Sequence, residues 1–400
     1  MTPNQPETSS LPIPAFLPLS VPNVCGNEWQ YLKECLDTNF VSSVGPFVNR
    51  FEQEVARYTG AKFAVACVSG TAALHVALLL AGVQPGDEVI VPTLTFISSV
   101  NVIRYAQAVP VFMDCDEFYN VDADKVRQFL LDETVFKAGQ THNKKTGRRI
   151  AAFLPVHVLG NAAWLDQLLP MCQERGIAVI EDAAESLGTV YTTGKWEGCH
   201  TGTVADFGCV SFNGNKIITT GGGGMILTNI PALDEKAKYL TTQAKDDDAR
   251  FIHHEVGYNY RLTNVQAGLG IAQLELLPGF LESKQRNFEA YGKQLNQVAG
   301  LRLADSPGYA RNNHWMYPLQ IEAGVFGRDW ERVMADLARQ RIQSRPLWYL
   351  NHRQRPYQDC QRYQIQRADE LWAKTLCLPC STNLSGADVE RVVQALLNPA

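Results

Sequence analysis

The chain has 400 residues and a mass of 44.4 kDa, a length that favours about two or three domains. Hydrophobic residues make up 46% of it and aromatic residues 10%, which excludes a chain that stays disordered. The net charge of −5 excludes the basic surface that binding to nucleic acid or anionic lipid requires. We therefore expect an acidic protein that acts on small molecules, with no nucleic-acid or membrane partner.

Residues 1–30 are predicted to form an extended arm, because six prolines fall within the first 22 positions. No lysine or arginine precedes Lys33, so the charged start of a secretion signal is missing and we expect a cytoplasmic protein. The apolar stretch at 64–83 is interrupted by a polar turn at 69–71, whereas a membrane span needs ~20 uninterrupted apolar residues. A buried helix from residue 71 is expected instead.

Residues 31–277 are predicted to form a large domain in which apolar, β-rich runs alternate with helix-length segments. The runs are continuously apolar, as strands buried on both faces are; they cover 63–68, 88–91, 109–113, 151–156, 178–180, 208–212 and 225–227. Predicted helices lie at 71–81, 97–106, 123–131 and 164–175. This alternation favours an α/β fold whose mixed, mostly parallel sheet is covered by helices.

Residues 278–400 are predicted to form a smaller C-terminal α+β domain. A helix over 264–277 is expected to end at the Pro-Gly pair that follows it. Beyond this pair, the pattern predicts a strand at 315–321 and helices at 328–341 and 387–397. The polar stretch at 140–149, within the large domain, predicts a surface loop.

A turn of small residues, Ser69, Gly70 and Thr71, joins a predicted strand to a predicted helix. Free backbone N–H groups at a helix start, together with the Thr71 hydroxyl, favour binding of an anion, and phosphate is the usual one. Taken alone, the segment is explained equally well by a helix cap that binds no ligand.

Asp182 follows an apolar predicted strand at the position where parallel strands of α/β proteins point side chains into a ligand crevice. Its carboxylate is suited to pair with a protonated heteroaromatic nitrogen. A helix cap or a structural ion pair is the alternative interpretation.

Lys216 lies in a polar loop between the strand at 208–212 and four glycines at 221–224. A lysine that is partly removed from water has a lowered pKa and can form an imine. Taken alone, a lysine in such a loop is more commonly a surface residue.

Together the three segments supply a phosphate anchor, an acid for a ring nitrogen and an imine-forming amine. Pyridoxal 5′-phosphate (PLP) needs these three groups, because its aldehyde condenses with a lysine and its protonated pyridine ring accepts electrons. We therefore predict a PLP site built on Lys216 and Asp182.

The ten cysteines are scattered through a large chain without a secretion signal, which predicts reduced thiols rather than disulfides. Cys377 and Cys380 form a single CxxC pair, and no second pair completes the four ligands of a zinc site. No metal is predicted.

The chain resembles the PLP-dependent sugar aminotransferases of the DegT/DnrJ/StrS group, which have fold type I, over nearly its whole length. The matching segments are 60–62, 69–75, 86–92, 95–96, 182–185, 211–216 and 257–261. Within the group, segments 41–45, 211–216, 345–348 and 377–379 are most similar to 4-aminotransferases of UDP-4-keto-6-deoxy-N-acetylhexosamines, of the legionaminic-acid and bacillosamine type. The resemblance implies the PLP-dependent transferase fold of type I.

The resemblance also implies a role for each matching residue near the cofactor ring. Lys216 would be the Schiff-base lysine and would move protons, Asp182 would hold the pyridine nitrogen, and Phe96 would stack on the ring. Glu185 stands where many members of the group have Gln or His. A glutamate also occurs there in the similar 4-aminotransferases and in perosamine synthases, so we interpret it as the mark of a subgroup. The resemblance implies that Glu185 contacts the cofactor hydroxyl and belongs to the catalytic residues.

At the other end of the cofactor, the resemblance implies that Gly70, Thr71 and Ser211 hold the phosphate. Asn259 would reach the phosphate of a neighbouring subunit's cofactor, because the sites of this group lie at a dimer interface. The resemblance thus implies a homodimer with shared active sites. Gly222 replaces a glutamate that is common elsewhere in the group, and nothing in the sequence explains this replacement.

Recognition of a nucleotide sugar has weaker signals. Arg345 is a candidate for pairing with a diphosphate, because a guanidinium forms two hydrogen bonds to phosphate oxygens. Further candidates for substrate contacts are Tyr260, His314, Trp348 and His352. For each of them, a side chain satisfied within the fold is the alternative.

The resemblance implies transfer of an amino group from L-glutamate to C4 of a nucleotide-linked 4-keto-6-deoxy sugar, in the synthesis of surface polysaccharide or lipopolysaccharide. Lys216 favours transamination, since dehydratase relatives carry histidine at this position. The nearest alternative is a perosamine synthase acting on GDP-4-keto-6-deoxymannose. A regulator that binds PLP or a nucleotide sugar without turnover is a remote alternative, which the presence of both Lys216 and Asp182 argues against.

Overall fold

The computed structural model describes residues 15–399. The strands are Phe63–Cys67 (β1), Glu88–Pro92 (β2), Val109–Met113 (β3), Thr134–Lys137 (β4), Gln140–Asn143 (β5), Ile150–Phe153 (β6), Ala178–Asp182 (β7), Val190–Tyr191 (β8), Phe207–Ser211 (β9), Gly224–Thr228 (β10), Lys245–Asp247 (β11), Ile252–His253 (β12), Leu301–Leu303 (β13), Ala310–Arg311 (β14), Tyr317–Ile321 (β15), Arg345–Pro346 (β16), Arg362–Tyr363 (β17) and Thr375–Leu378 (β18). The α-helices are Glu28–Asp37 (α1), Pro46–Thr59 (α2), Gly70–Leu80 (α3), Ser98–Tyr105 (α4), Ala123–Asp132 (α5), Leu168–Glu174 (α6), Pro231–Thr241 (α7), Asn264–Leu295 (α8), Ala323–Phe326 (α9), Trp330–Arg339 (α10), Arg367–Trp372 (α11) and Gly386–Leu397 (α12).

The central sheet has eight strands in the order β1-β10-β9-β7-β6-β2-β3-β17. Strand β10 runs antiparallel to both of its neighbours, and the five pairings from β9 to β17 are parallel. The prediction of a mixed, mostly parallel sheet is therefore confirmed. Because β10 is antiparallel to both β1 and β9, these two strands run in the same direction. The carboxyl ends of β1, β9, β7 and β2 therefore share one edge of the sheet.

Helices cover both faces of this sheet. Successive residues of a strand point to opposite faces, so an apolar strand places side chains against both layers of helices. In β7, Ile180 packs in the layer that contains α3 and α4, whereas Val179 packs in the layer that contains α5 and α6. In β1, Val65 faces α3 and Ala66 faces α2 and α8. The predicted α/β architecture is confirmed.

A second sheet, β13-β15-β18-β16, is antiparallel throughout and lies in the C-terminal part of the chain. Helices α10 and α12 pack on this part, as the sequence predicts. Strand β17 leaves it and pairs with β3 at the edge of the large sheet. The division of the chain at residue 278 stays a prediction, and that position lies inside α8.

The predicted end of this helix at residue 277 is wrong, because α8 continues through Pro278 to Leu295. A proline inside a helix costs ~3 kcal/mol through a lost hydrogen bond and a clash. Phe280, Asn287 and Tyr291 continue the buried face of the helix beyond the proline, and this packing outweighs the cost.

The structure corrects two further predictions. The segment 140–149 begins with β5, which pairs with β4 instead of forming a loop. Asn143 of this strand is buried, and its amide donates a hydrogen bond to Glu88 at 2.7 Å. The arm ends before residue 30, since α1 begins at Glu28, a buried side chain that accepts the Gln273 amide at 2.6 Å. The remainder of the predicted arm at 1–14 lies outside the described residues.

Within residues 15–399, none of the helices combines the length and the apolar character that crossing a membrane requires. All ten cysteines are free thiols, including the buried pair Cys377 and Cys380. In the same range, no cluster of three or more His, Cys, Asp or Glu side chains is arranged to hold a metal ion.

Candidate active site

A pocket of about 310 Å³ lies at the sheet edge where β1, β7 and β9 end. The sequence-predicted residues that line it are Gly70, Thr71, Phe96, Asp182, Glu185, Ser211, Lys216 and Trp348. Gly222 and Gly223 of the glycine loop also face it. The three chemistry-bearing segments, the first of which lies more than a hundred residues before the other two in the chain, thus meet in one pocket.

The start of α3 forms one wall of the pocket. Ser69 caps the helix, since its hydroxyl accepts the backbone N–H of Ala72 at 3.1 Å. A Cβ atom at Gly70 would lie 2.8 Å from the Cβ of Ser211, so only glycine allows this close approach. The positive end of the helix dipole and the Thr71 and Ser211 hydroxyls therefore face the same space, an arrangement that suits a phosphate group.

The carboxylate of Asp182 is buried at the end of β7, with 3% of the residue exposed. One oxygen accepts the Ser99 hydroxyl at 2.6 Å and the other accepts the backbone N–H of Ala184 at 3.0 Å. Burial raises the pKa of this carboxyl, and the two hydrogen bonds oppose the rise. A cation placed in the pocket beside Asp182 would relieve this cost, as a protonated ring nitrogen does.

Lys216 lies in the loop after β9, and 13% of its side chain is exposed. Its amine is 3.8 Å from a carboxylate oxygen of Glu185 and 4.1 Å from the centre of the Trp315 ring. Burial lowers the pKa of the Lys216 amine, and the charges of Glu185 and Asp182 oppose this effect. A lysine in this environment is a better nucleophile and base at neutral pH than one in water.

Glu185 lies between Lys216 and the loop that follows β6. Its second carboxylate oxygen accepts the backbone N–H of Leu159 at 2.8 Å, and Leu159 has a left-handed backbone with φ of 59°. Burial raises the pKa of Glu185 to about 7, although the nearby Lys216 lowers it in part. Its charge therefore changes within the physiological pH range.

Phe96 and Trp348 form the aromatic rim of the pocket. Half of Phe96 is exposed, and its ring meets Trp348 edge-on, with the ring centres 6.4 Å apart. Trp348 stacks in turn on Trp315, with 6.3 Å between the centres and 14° between the planes. Phe96 thus has a free ring face at the opening, which suits the predicted stacking.

Five predicted residues do not line this pocket. His314 is buried with its ring stacked on Phe288 at 4.1 Å, and burial lowers its pKa to about 4. The His352 ring pairs with the Thr93 hydroxyl at 2.7 Å. These contacts match the alternative in which each histidine is satisfied within the fold, and their assignment to substrate stays a prediction.

The other three residues lie nearer the surface. Arg345 is exposed on β16 at the edge of the small sheet, and Asn259 is exposed where its backbone pairs with Thr242. Tyr260 stacks on Tyr258, with ring centres 5.0 Å apart. The assignment of these three side chains to substrate or to a partner's cofactor stays a prediction.

Sequence reasoning missed two residues that shape the site, Ser99 and Trp315. Ser99 lies within a predicted helix and Trp315 at the start of a predicted strand, and neither position predicts a functional role. The position of Ser99, four residues after Thr95 in the segment that carries Phe96, was the available signal. No signal in the sequence placed Trp315 beside Lys216.

The sequence profile of the DegT/DnrJ/EryC1/StrS aminotransferase family matches residues 23–397. The chain belongs to this family. It is 37% identical over 384 residues, 95% of each protein, to EpsN of Bacillus subtilis, whose name assigns it provisionally to the PLP-dependent aminotransferases. It is also 37% identical to the GDP-perosamine synthase of Caulobacter vibrioides over 381 residues, which cover 94% of this chain and 96% of the relative.

Solved structures of aminotransferases share the fold. TlmJ from Streptoalloteichus hindustanus superposes with a TM-score of 0.84 at 26% identity, over 96% of this chain and 98% of that one. DesI, crystallised in the presence of its TDP-sugar product, has the same TM-score and identity, over 95% and 92%. The expectations of fold type I and of a PLP-dependent sugar aminotransferase are confirmed.

PLP is the cofactor of this family, and the residues of the pocket fit it. The start of α3 and Ser211 offer N–H and hydroxyl donors for its phosphate. Asp182 is a buried carboxylate that has no cationic partner within hydrogen-bond distance among residues 15–399. Lys216 supplies an amine with a lowered pKa in the same space. When bound, PLP supplies an electron sink for the carbon that loses a proton.

Proposed function

We propose that the enzyme transfers the amino group of L-glutamate to C4 of a nucleotide-linked 4-keto-6-deoxy sugar, in the synthesis of surface polysaccharide or lipopolysaccharide. The observation that carries the proposal is the buried Lys216 amine, which shares one pocket with Asp182, Glu185 and the start of α3. The family membership and the TDP-sugar product in the name of the DesI structure support a nucleotide sugar as acceptor.

The side chains of the pocket have different roles in the proposed reaction. Asp182 keeps a proton on the pyridine nitrogen, and Ser99 fixes the orientation of its carboxylate. The Nζ of Lys216 takes the proton from Cα of glutamate in the first half of the reaction and delivers a proton to C4 of the sugar in the second. Glu185, 3.8 Å away, stabilises the ammonium form of Lys216 between these two transfers.

The acceptor that we propose first is UDP-4-keto-6-deoxy-N-acetylhexosamine. Its support is the likeness of segments 41–45 and 345–348 to enzymes that act on such sugars. GDP-4-keto-6-deoxymannose is the second candidate, favoured by three relatives named GDP-perosamine synthase that are 37%, 32% and 35% identical to this chain. We expect Arg345 to pair with the diphosphate that both acceptors contain.

We further propose a homodimer in which Asn259 reaches the partner's cofactor phosphate. Asn259 is exposed and lies outside its own pocket, and Phe251 and Val256 of the same segment are 74% and 79% exposed apolar side chains. Mixing the Lys216→Ala and Asn259→Ala proteins should restore about a quarter of the normal activity, because half of the random dimers then contain one intact site out of two. Activity that does not exceed that of the separate variants would contradict sharing.

Release of 2-oxoglutarate tests the proposed reaction. The purified enzyme is supplied with L-glutamate and, in parallel, with the UDP-linked and the GDP-linked 4-keto-6-deoxy sugars. Turnover with only one of them identifies the acceptor, and turnover with neither refutes both proposed acceptors. The Lys216→Ala protein is the control, and we expect it to lose both turnover and the visible absorbance band of the lysine-bound cofactor.

A further inference from the structure

The ring of Trp315 lies directly against the amine of Lys216. The Nζ atom is 4.1 Å from the ring centre, within the distance at which a cation is attracted to an aromatic face. Trp315 is 3% exposed, so water is largely excluded from this contact. Tryptophan has the strongest such attraction of the aromatic side chains, and exclusion of water increases it.

Both ends of Trp315 are fixed. Its indole N–H donates to the backbone carbonyl of Asn215, the residue before Lys216, at 2.8 Å. Its backbone N–H donates to the Asn313 side chain at 2.9 Å, and its carbonyl accepts the amine of the buried Lys284 at 2.7 Å. The ring is therefore held in register with the loop that carries Lys216 by hydrogen bonds within the protein.

Two carboxylates also act on the Lys216 amine. Glu185 lies 3.8 Å away, and Asp182 acts from a greater distance within the same pocket. A carboxylate attracts the amine along defined hydrogen-bond directions, whereas a ring attracts a cation that lies over its face without directing the individual N–H bonds. The ring therefore holds the ammonium group over its face without using its N–H groups in hydrogen bonds.

We propose that Trp315 is a positioning residue that holds the free Lys216 amine over its ring face and stabilises the ammonium form. The contact itself is independent of the reaction, whereas its use in moving protons rests on the proposed function. Loss of the ring face is expected to make the ammonium less stable, so that Lys216 loses its proton at a lower pH.

Competitive labelling of the full-length, cofactor-free protein measures this directly. A trace of acetic anhydride acetylates the neutral amine, and mass spectrometry of the peptide that contains Lys216 gives the labelling midpoint against pH. Three proteins are compared with the wild type: Trp315→Leu, Trp315→Phe, and one with 4,5,6,7-tetrafluorotryptophan at position 315. The fluorinated ring keeps the shape and the N–H of indole but loses most of the negative charge on its face.

We expect the midpoint to fall by about one pH unit in Trp315→Leu and in the fluorinated protein, and by less in Trp315→Phe, which keeps a weaker ring face. The control is Trp330→Leu, which removes a tryptophan that packs edge-on against Trp372 and does not line the pocket. It should leave the midpoint unchanged. Because the fluorinated ring preserves the packing, this protein keeps the test valid if Trp315→Leu fails to fold.

An unchanged or higher midpoint in the fluorinated protein overturns the proposal. In the holoenzyme, we expect kcat to fall about 3- to 30-fold with a KM for glutamate within about twofold of the wild type. A lowered midpoint in a protein that forms no 2-oxoglutarate with any acceptor would support this inference and overturn the proposed function, so the two can fail separately.

Discussion

Replacing the buried carboxyl of Glu185 by the amide of glutamine should change how stability depends on pH. Burial raises the pKa of Glu185 from 4.5 to about 7 in the folded protein, and the group returns to its ordinary value on unfolding. A group whose pKa is raised by folding contributes its full stability below pH 4.5 and loses it as the pH rises through about 7. The difference corresponds to about 3 kcal/mol, at 1.36 kcal/mol for each pKa unit.

Glutamine cannot titrate, yet its amide oxygen can still accept the N–H of Leu159, which Glu185 binds at 2.8 Å. The pH-dependent part of the comparison therefore reports the carboxylate charge together with its effect on the neighbouring Lys216. We expect the free energy of unfolding of Glu185→Gln, relative to the wild type, to increase by about 3 kcal/mol between pH 4.5 and pH 8.

Urea unfolding of the two cofactor-free proteins at a series of pH values measures this difference. Glu282→Gln, which changes an exposed glutamate on α8, is the matched control and should give a difference close to zero at every pH. A Glu185→Gln difference that stays constant between pH 4.5 and pH 8, or that decreases, would refute the assignment of a raised pKa to this carboxyl.

Three further substitutions test the geometry around the cofactor. Ser99→Ala removes a hydrogen bond that lowers the pKa of Asp182. The acid limb of the profile of kcat against pH should therefore move to higher pH, and kcat should fall about tenfold. An acid limb that does not move contradicts the role of Ser99. Gly222→Ala should be tolerated within about 0.5 kcal/mol, because its Cβ would meet only the Gln266 amide nitrogen, at an ordinary contact distance of 3.8 Å. Gly224→Ala should destabilise the protein by about 1–3 kcal/mol, since its Cβ would overlap the backbone of Ser69; equal unfolding midpoints for these two glycine variants would disprove this account.

The elements that the sequence predicted well are those whose stability is local or follows from burial on both faces. β3 is a continuous apolar run with the predicted bounds, and α5 differs from its prediction by one residue at its end. The path of α8 through Pro278 could not be predicted, because a local rule about proline was overruled by packing with residues that are distant in sequence. The prediction of a loop at the polar strand β5 is wrong for the same reason. The Asn143 side chain can be buried there because its amide donates hydrogen bonds to Glu88 and Gln361, which are distant in sequence.

The same distinction holds for the candidate site. Lys216, Asp182 and the turn at Ser69 could be found because each follows a predicted strand, and carboxyl ends of parallel strands meet at one edge. Trp315 could not, because it reaches the pocket from the C-terminal part of the chain through hydrogen bonds to Asn215 and Lys284. Three-dimensional contacts of this kind leave no regular spacing in the sequence.

Strand β17 determines when the large sheet can be completed during synthesis. Its two residues, Arg362 and Tyr363, pair with the outer edge of β3, a strand that is made about 250 residues earlier. Until the ribosome has passed residue 363 of 400, the backbone groups of that edge have no partner and can pair with another nascent chain. Truncation between residues 349 and 361 should therefore cause aggregation of a part of the protein that contains every residue lining the PLP pocket.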